Sequence, residues 1–469
     1  MKFTAFRIKN YKGINDLTIT LNGNKGSIYT LVGLNESGKT TILEAINSFR
    51  PDVDGIHVMA QKFISPDLHP LGTLVPKKKI GNFNDYISVT AHIKMEEEEV
   101  LTLTRYCKSE YGFQIDPDSF PLEFEVTKRH AFKNSAHAES QTLWGVHPLV
   151  KRKRGRKFVS LSGDDEEWQT IVREVGDCLP RIVYFPTFLF DFPEKIQVSE
   201  GECQIEGNEY FRQVVEDALN SLEDSLDLET HIVSRIINKN PDLSIADWHT
   251  AWMQSDERDQ VDAVLTQLSR RISQEIFSRW NDISDTDLGK KELEIQPLLE
   301  AGDRGERQVF LMFKVKDNDL SFKVSERSLG FRWFFCFLLF TRFFRGNEQG
   351  ESIFLFDEPA SNLHSKAQSK LLDSLETISA GKNDIIYSTH SHYLINPLWL
   401  ETASVVTNGS LTDGESIDAD FGVENTDIHA QPYRTFVGQN ADKGHYFQPV
   451  LDRLQVSPSL LETTREGVF

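Results

Sequence analysis

A glycine loop that has to turn between a strand and a helix constrains this chain more than any other stretch. Gly33-Leu34-Asn35-Glu36-Ser37-Gly38-Lys39-Thr40 has the spacing G-x-x-x-x-G-K-[ST]. The apolar run 28–32 precedes it, and the helix-like segment 41–46 follows. That order of strand, loop and helix is the one a phosphate-binding loop needs. Its glycines let backbone N–H groups curl around phosphate oxygens, and the helix presents its positive end to them. The loop therefore implies ATP or a similar nucleotide held by Gly33, Asn35, Glu36, Ser37, Gly38, Lys39, Thr40 and Thr41. Lys39 is expected on the β- and γ-phosphates and Thr40 on Mg²⁺.

The chain has 469 residues, 39% of them hydrophobic, including 32 Phe. That suffices for two or three ordinary domains or for one large head with insertions. The longest apolar stretch, 333–344, is bracketed by Arg332 and Arg345. It is too short to span a bilayer and reads as a buried helix, so no membrane association is expected. The first residues lack a secretory apolar core, and Cys107, Cys178, Cys203 and Cys336 have no C-x-x-C spacing. A reducing, cytoplasmic setting is the expectation. The formal net charge of −20 excludes a surface that coats nucleic acid broadly. One local exception is Lys151-Arg152-Lys153-Arg154-Gly155-Arg156-Lys157. It is either a solvated loop balanced by the acids at 164–167 or a contact to a DNA phosphate backbone.

Residues 1–50 read as two short strands, the loop strand and its helix. Residues 86–94 alternate as a strand, and 100–105 is expected to pair with it. Residues 180–193 read as a strand running into a proline-punctuated loop. From 208 to 282 helical spacing dominates, as in Val261, Val264, Leu265, Leu268, Ile272 and Ile276, with a break at Asn240-Pro241. Sustained heptads are missing, so a compact helical lid is expected rather than a coiled-coil arm. Strand patterning returns over 293–324, and 327–408 alternates helix, strand, helix, strand, strand. Residues 413–427 hold six acids and no base. The division expected is an ATPase lobe over 1–200, a helical lid over 201–292, a second ATPase lobe over 293–410, and an acidic loop with a docking segment over 411–469.

Three later segments complete the nucleotide site. Ile353-Phe354-Leu355-Phe356-Asp357-Glu358-Pro359 is an apolar strand ending in two carboxylates. Alone it is a core strand with a solvated acid pair. Downstream of a phosphate loop it reads as a Walker B strand, with Asp357 holding Mg²⁺ through water and Glu358 polarising the attacking water. Ile385-Ile386-Tyr387-Ser388-Thr389-His390 ends in an imidazole placed to meet the γ-phosphate. His390 and His392 have no carboxylate or Cys at metal-ligand spacing, so a zinc site is not expected. Arg327-Ser328-Leu329-Gly330 precedes an aromatic helix; it is an anion site by geometry, or simply a serine N-cap.

This order of motifs resembles that of ABC-type ATPase heads. Phe6-Arg7-Ile8-Lys9-Asn10-Tyr11-Lys12-Gly13-Ile14 and the loop 35–41 resemble the SMC/RecF branch. Arg327-Ser328-x-Gly330, Asp357-Glu358-Pro359 with Leu363-His364, and Ser388-Thr389-His390-Ser391 resemble the ATPase module of the OLD (overcoming lysogenization defect) family. The resemblance implies an α/β fold, an ABC-type P-loop ATPase head with a mixed sheet and a helical lid. It implies a homodimer with two sandwiched ATPs, in which Ser328 and Gly330 act in trans, Arg327 joins the nucleotide-binding residues and Asn362 crosses the seam. Gln61 is the candidate for the glutamine that senses Mg²⁺. His392 stands where the family usually has proline.

OLD proteins carry a Toprim nuclease after the ATPase, and the residues after about 410 are too few for one. The nuclease is therefore expected on a separate polypeptide, an arrangement that resembles the ATPase subunits of the PARIS (phage anti-restriction-induced system) family. That implies a higher homo-oligomer with slow, regulatory hydrolysis, which restrains a Toprim-type effector until a phage trigger protein arrives. The alternatives are a RecF/SMC-like DNA-repair ATPase on duplex DNA and the ATPase part of a truncated OLD nuclease. A transporter ATPase is disfavoured because Arg327-Ser328-x-Gly330 stands where transporters have the signature turn LSGGQ.

Overall fold

In the computed structural model, residues 1–21, 27–49, 71–185, 192–201, 203–205, 207–222, 226–237, 244–284, 291–302, 305–317, 320–343, 352–359, 363, 365–379, 383–409, 426–439 and 448–454 are described. Gln61, Asn362, His364, the Asn240-Pro241 break and most of the acidic stretch 413–427 lie outside them.

The phosphate-loop strand, Ile28–Val32, is buried at all five positions. Such a strand is covered on both faces, as the parallel strands of α/β sheets are. It lies in a six-stranded sheet ordered Arg181–Phe185, Ser352–Phe356, Asp384–Thr389, Ile28–Val32, Ala403–Asn408 and Ile428–Pro432. The first five strands are parallel and the last is antiparallel. Asp384–Thr389, here the switch strand, thus separates the phosphate loop from the Walker B strand Ser352–Phe356. Its C-terminal end reaches both.

A second, antiparallel sheet is ordered Ile14–Thr20, Lys2–Tyr11, Tyr86–Lys94, Glu123–Lys133 and Ala136–Trp144. The helix after the phosphate loop, Lys39–Phe49, buries Ile42, Leu43, Ala45, Ile46 and Phe49. Phe49 meets Phe3 and Phe6 of this sheet edge-on, at 5.8 and 5.9 Å between ring centroids. Each fully buried phenylalanine contributes about 1.5–3 kcal/mol. The loop's helix is therefore clamped between the two sheets.

Residues 100–105 are not the expected strand. They belong to the helix Glu97–Tyr106, and Tyr86–Lys94 pairs with Lys2–Tyr11 and Glu123–Lys133 instead. Glu96 and Glu99 form a capping box, and three glutamates occupy the first turn, where the helix dipole favours them. Val100, Leu103 and Thr104 then fall on one buried face.

The helices Asn208–Asn220, Ile245–Met253 and Asp256–Ser284 occupy the helical stretch. The last buries Val261, Val264, Leu265, Leu268, Ile272 and Ile276. It packs on the hairpin of Lys291–Ala301 and Arg307–Asp317. Next comes the helix Leu329–Phe343, whose residues 333–340 are all buried. Among the described residues no helix is long and apolar enough to cross a membrane. After the sheet, Tyr433 and Val450 pack with Val32 and Val405 in a small core of their own.

Candidate nucleotide-hydrolysis site

The loop backbone needs its glycines at two points. Gly38 has φ +98°, and a Cβ there would lie 2.4 Å from the Ile428 side chain. At Gly33 a Cβ would lie 2.6 Å from both Ser37 Oγ and the Val406 carbonyl oxygen. Gly33 N–H donates to the Thr389 carbonyl (3.2 Å), which ties the loop to the switch strand. Asn408 Nδ2 donates to the Glu36 carbonyl (3.3 Å), which ties it to the neighbouring strand.

Lys39 is buried, and its ammonium donates to the carbonyls of Gly33 (2.9 Å) and Leu34 (2.8 Å). Its Nζ stands 3.3 Å from Glu358 Oε1. Burial lowers the Lys39 pKa below its ordinary value, and the charges of Glu358 and Asp357 oppose that shift. Thr40 Oγ1 donates to Asp357 at 2.9 Å (Oδ2) and 3.1 Å (Oδ1). Ser388 Oγ donates to Asp357 Oδ1 (2.7 Å), and Tyr184 Oη reaches Oδ2 at 3.5 Å. Burial raises the Asp357 pKa, and the hydroxyls of Ser388 and Thr40 counter it by stabilising the carboxylate.

Glu358 has φ +45°, a left-handed conformation costing about 1–2 kcal/mol for an L-residue with a Cβ. Its N–H donates to Ser388 Oγ (2.8 Å). Its Oε1 lies 3.1 Å from His390 Nδ1 without the alignment of a hydrogen bond. Lys39, Thr40, Asp357, Glu358 and His390 therefore converge at the C-terminal ends of adjacent parallel strands, the position where open α/β sheets bind ligands.

The cleft over the loop has a volume of about 970 Å³. Asn35, Glu36, Gly38, Lys39, Thr40, Thr41, Asp357 and Glu358 line it. Ser37 lies beneath, buried, its Oγ without a partner among the described residues. Sequence reasoning missed the rest of the lining, to which Lys12, Asn15, Thr73, Pro76, Lys77 and Lys78 contribute. Three consecutive lysines after a proline, 77–79, were the signal that could have found it. Asn408, Thr426 and Ile428 also reach the cleft, and nothing local in sequence marks them.

Arg327, Ser328 and Gly330 do not line this cleft. Ser328 caps the helix Leu329–Phe343, accepting the Phe331 N–H at 3.4 Å. The Arg327 guanidinium lies over the rings of Phe322 and Phe331. Gly330 packs against Leu363, whose Cδ2 would stand 3.1 Å from a Cβ at that position. The His392 ring lies tilted against that of Tyr393, and no group of three or more metal-ligating side chains occurs among the described residues.

The donor set fits a hard divalent cation, since Thr40 Oγ1 and the Asp357 carboxylate supply oxygens alone. Gly38, Lys39, Thr40 and Thr41, which line the cleft at the start of the helix Lys39–Phe49, fit a phosphate chain. The site and fold define a P-loop nucleoside triphosphatase of mixed α/β architecture, with a Walker B strand and a switch strand. The family profile described as AAA ATPase domain matches residues 1–103 and 204–395. The chain belongs to that family of ATPases.

Among curated proteins, a similar one is the uncharacterized protein MJECL43 of Methanocaldococcus jannaschii, 24% identical over 119 residues. That match covers 22% of this chain and 31% of the archaeal protein. Among solved structures, the Smc head domain of Pyrococcus furiosus bound to the C-terminal domain of ScpA aligns with a TM-score of 0.42 at 13% identity. The alignment covers 94% of this chain and 99% of that one. The SMC head domain of Thermotoga maritima gives 0.37 at 12% identity, over 92% and 99%.

Proposed function

We propose that the chain hydrolyses ATP at composite sites built by two copies and uses that cycle as the sensor of an anti-phage defence system. The observation that carries the hydrolytic reading is the cluster of Lys39, Thr40, Asp357 and Glu358 in the cleft lining, with His390 outside the lining but 3.1 Å from Glu358. In this reading the loop N–H groups and Lys39 hold the phosphate chain. Thr40 and Asp357 hold Mg²⁺, which neutralises charge on the phosphate oxygens when bound. Glu358 accepts the proton of the attacking water, and His390, beside it, fixes the γ-phosphate. Arg327, Ser328 and Gly330 lie outside their own cleft, which supports their closing the partner's site.

The regulatory half of the proposal follows from the resemblance to OLD and PARIS ATPases. ATP-driven association holds a separate Toprim-type nuclease, a phage protein triggers its release, and hydrolysis is slow. The test is affinity purification from the native locus with ATP present, with mass spectrometry for partners and light scattering for assembly size. A stoichiometric Toprim-type protein on a large oligomer is expected. A partner-free dimer contradicts the sensor role.

The basic run favours a second reading, a DNA-handling ATPase. Arg152 pairs with Asp165 and with Glu167 (3.3 Å to the latter), whereas Lys153, Arg154, Arg156 and Lys157 belong to the same surface run beside the exposed ring of Phe158. Surface cations next to an aromatic suit a nucleic-acid backbone. ATP hydrolysis stimulated by duplex DNA, with steep salt dependence, would move the weight to it.

A further inference from the structure

The parallel register that pairs Phe356 with Tyr387 places Ser388 level with Asp357, on the opposite face from the Tyr387 ring. Ser388 is fully buried and lies 31 residues from Asp357 in sequence. Its single hydroxyl makes two bonds that meet at the Walker B turn. It donates to Asp357 Oδ1 at 2.7 Å and accepts the Glu358 N–H at 2.8 Å. The second bond holds Glu358, whose φ of +45° is left-handed. One residue on, the Thr389 carbonyl accepts the Gly33 N–H of the phosphate loop. The switch strand therefore touches the Walker B turn through one residue and the phosphate loop through the next.

We infer that Ser388 is a positioning residue for hydrolysis. It aims the Asp357 carboxylate toward the cation that Thr40 shares, and it locks the Glu358 backbone so that its carboxylate faces the cleft beside Lys39. A hydroxyl is suited to this because it donates and accepts at once. Alanine leaves the buried Asp357 oxygen with one donor fewer and the Glu358 N–H without its acceptor. The inference rests on the roles proposed above for Asp357 and Glu358.

The test compares wild type with Ser388→Ala and with Ser388→Cys, a near-isosteric change to a poor donor. A fluorescent ATP analogue is titrated with and without magnesium, steady-state hydrolysis is measured, and the melting temperature is recorded. Without magnesium, both variants should bind the analogue within about twofold of wild type, because the phosphate loop is intact. Magnesium should tighten binding at least about tenfold less than in wild type, and kcat should fall about 10- to 100-fold with KM within about threefold. Ser388→Cys should show the same split at smaller size, and it carries the test if the alanine variant does not fold. Variants whose magnesium effect and kcat stay within about twofold of wild type overturn the inference. So do variants that lose magnesium-free binding as heavily as hydrolysis, which is what a merely structural serine predicts. A wild type that neither hydrolyses ATP nor responds to magnesium overturns the site reading as well. Normal wild type with unaffected variants overturns this inference alone.

Discussion

Lys39 Nζ and Glu358 Oε1 stand 3.3 Å apart, so the cation proposed to hold phosphate is held by the carboxylate proposed to receive a proton. The two tasks compete for one contact. Glu358→Gln keeps the shape, removes the charge and releases Lys39. Nucleotide binding should tighten, hydrolysis should fall by about 10²–10⁴-fold, and the ATP-bound oligomer should persist. Lys39→Ala should lose both nucleotide and oligomer. Calorimetry and sedimentation with ATP check both variants, and equal sedimentation of both with wild type would count against the ATP sandwich.

Gly38 carries two separate constraints, its φ of +98° and the Ile428 side chain, which stands 2.4 Å from where a Cβ would be. Gly38→Ala should abolish nucleotide binding. Adding Ile428→Ala removes the collision but leaves the left-handed backbone, a cost of about 1–2 kcal/mol. The double variant should therefore recover binding only in part. Full recovery would mean that the collision alone matters.

Glu216, in the helix Asn208–Asn220, has its pKa raised, first by burial and then by the nearby Asp227, against the stabilising Leu228 N–H donated to its Oε2 at 2.9 Å. A carboxyl with a raised folded-state pKa costs no stability below its unfolded pKa. It loses stability as pH rises through the folded value. Glu216→Gln keeps an acceptor for Leu228 and removes that loss. Melting should rise by roughly 1–3 °C at neutral pH, with the gain vanishing below about pH 4. A gain that is constant with pH would exclude the charge as its cause.

The basic run separates the two functional readings. Replacing Lys153, Arg154, Arg156 and Lys157 with alanine, with Arg152 left on Asp165 and Glu167, should leave basal hydrolysis unchanged. If the chain handles DNA, the same change abolishes stimulation by duplex DNA and flattens its salt dependence.

The local parts of the site are legible in the sequence. The phosphate loop, the Asp357-Glu358 strand end and the His390 strand end are each contiguous, with apolar runs that parallel strands require on both faces. What stays hidden is non-local. Ser388 meets Asp357, and Tyr184 lies 173 residues from the same carboxylate. Ile428 fills the space above Gly38 from a strand that only the sheet order brings there. Residues 100–105 read wrongly as a strand because so short an apolar pattern fits either period, while the capping glutamates that decide it lie just upstream.

The most direct test of the proposed composite site is a mixing experiment between Lys39→Ala, which removes the lysine proposed to bind phosphate, and Ser328→Arg, which blocks the turn proposed to act in trans. Each variant alone should be inactive. In a mixed dimer one site carries both defects and the other carries neither, so at equal mixing hydrolysis should return to about a quarter of wild type if pairing is random, and toward about a half if only the mixed dimer holds ATP. Activity no higher than the sum of the two variants alone would contradict a site shared between copies.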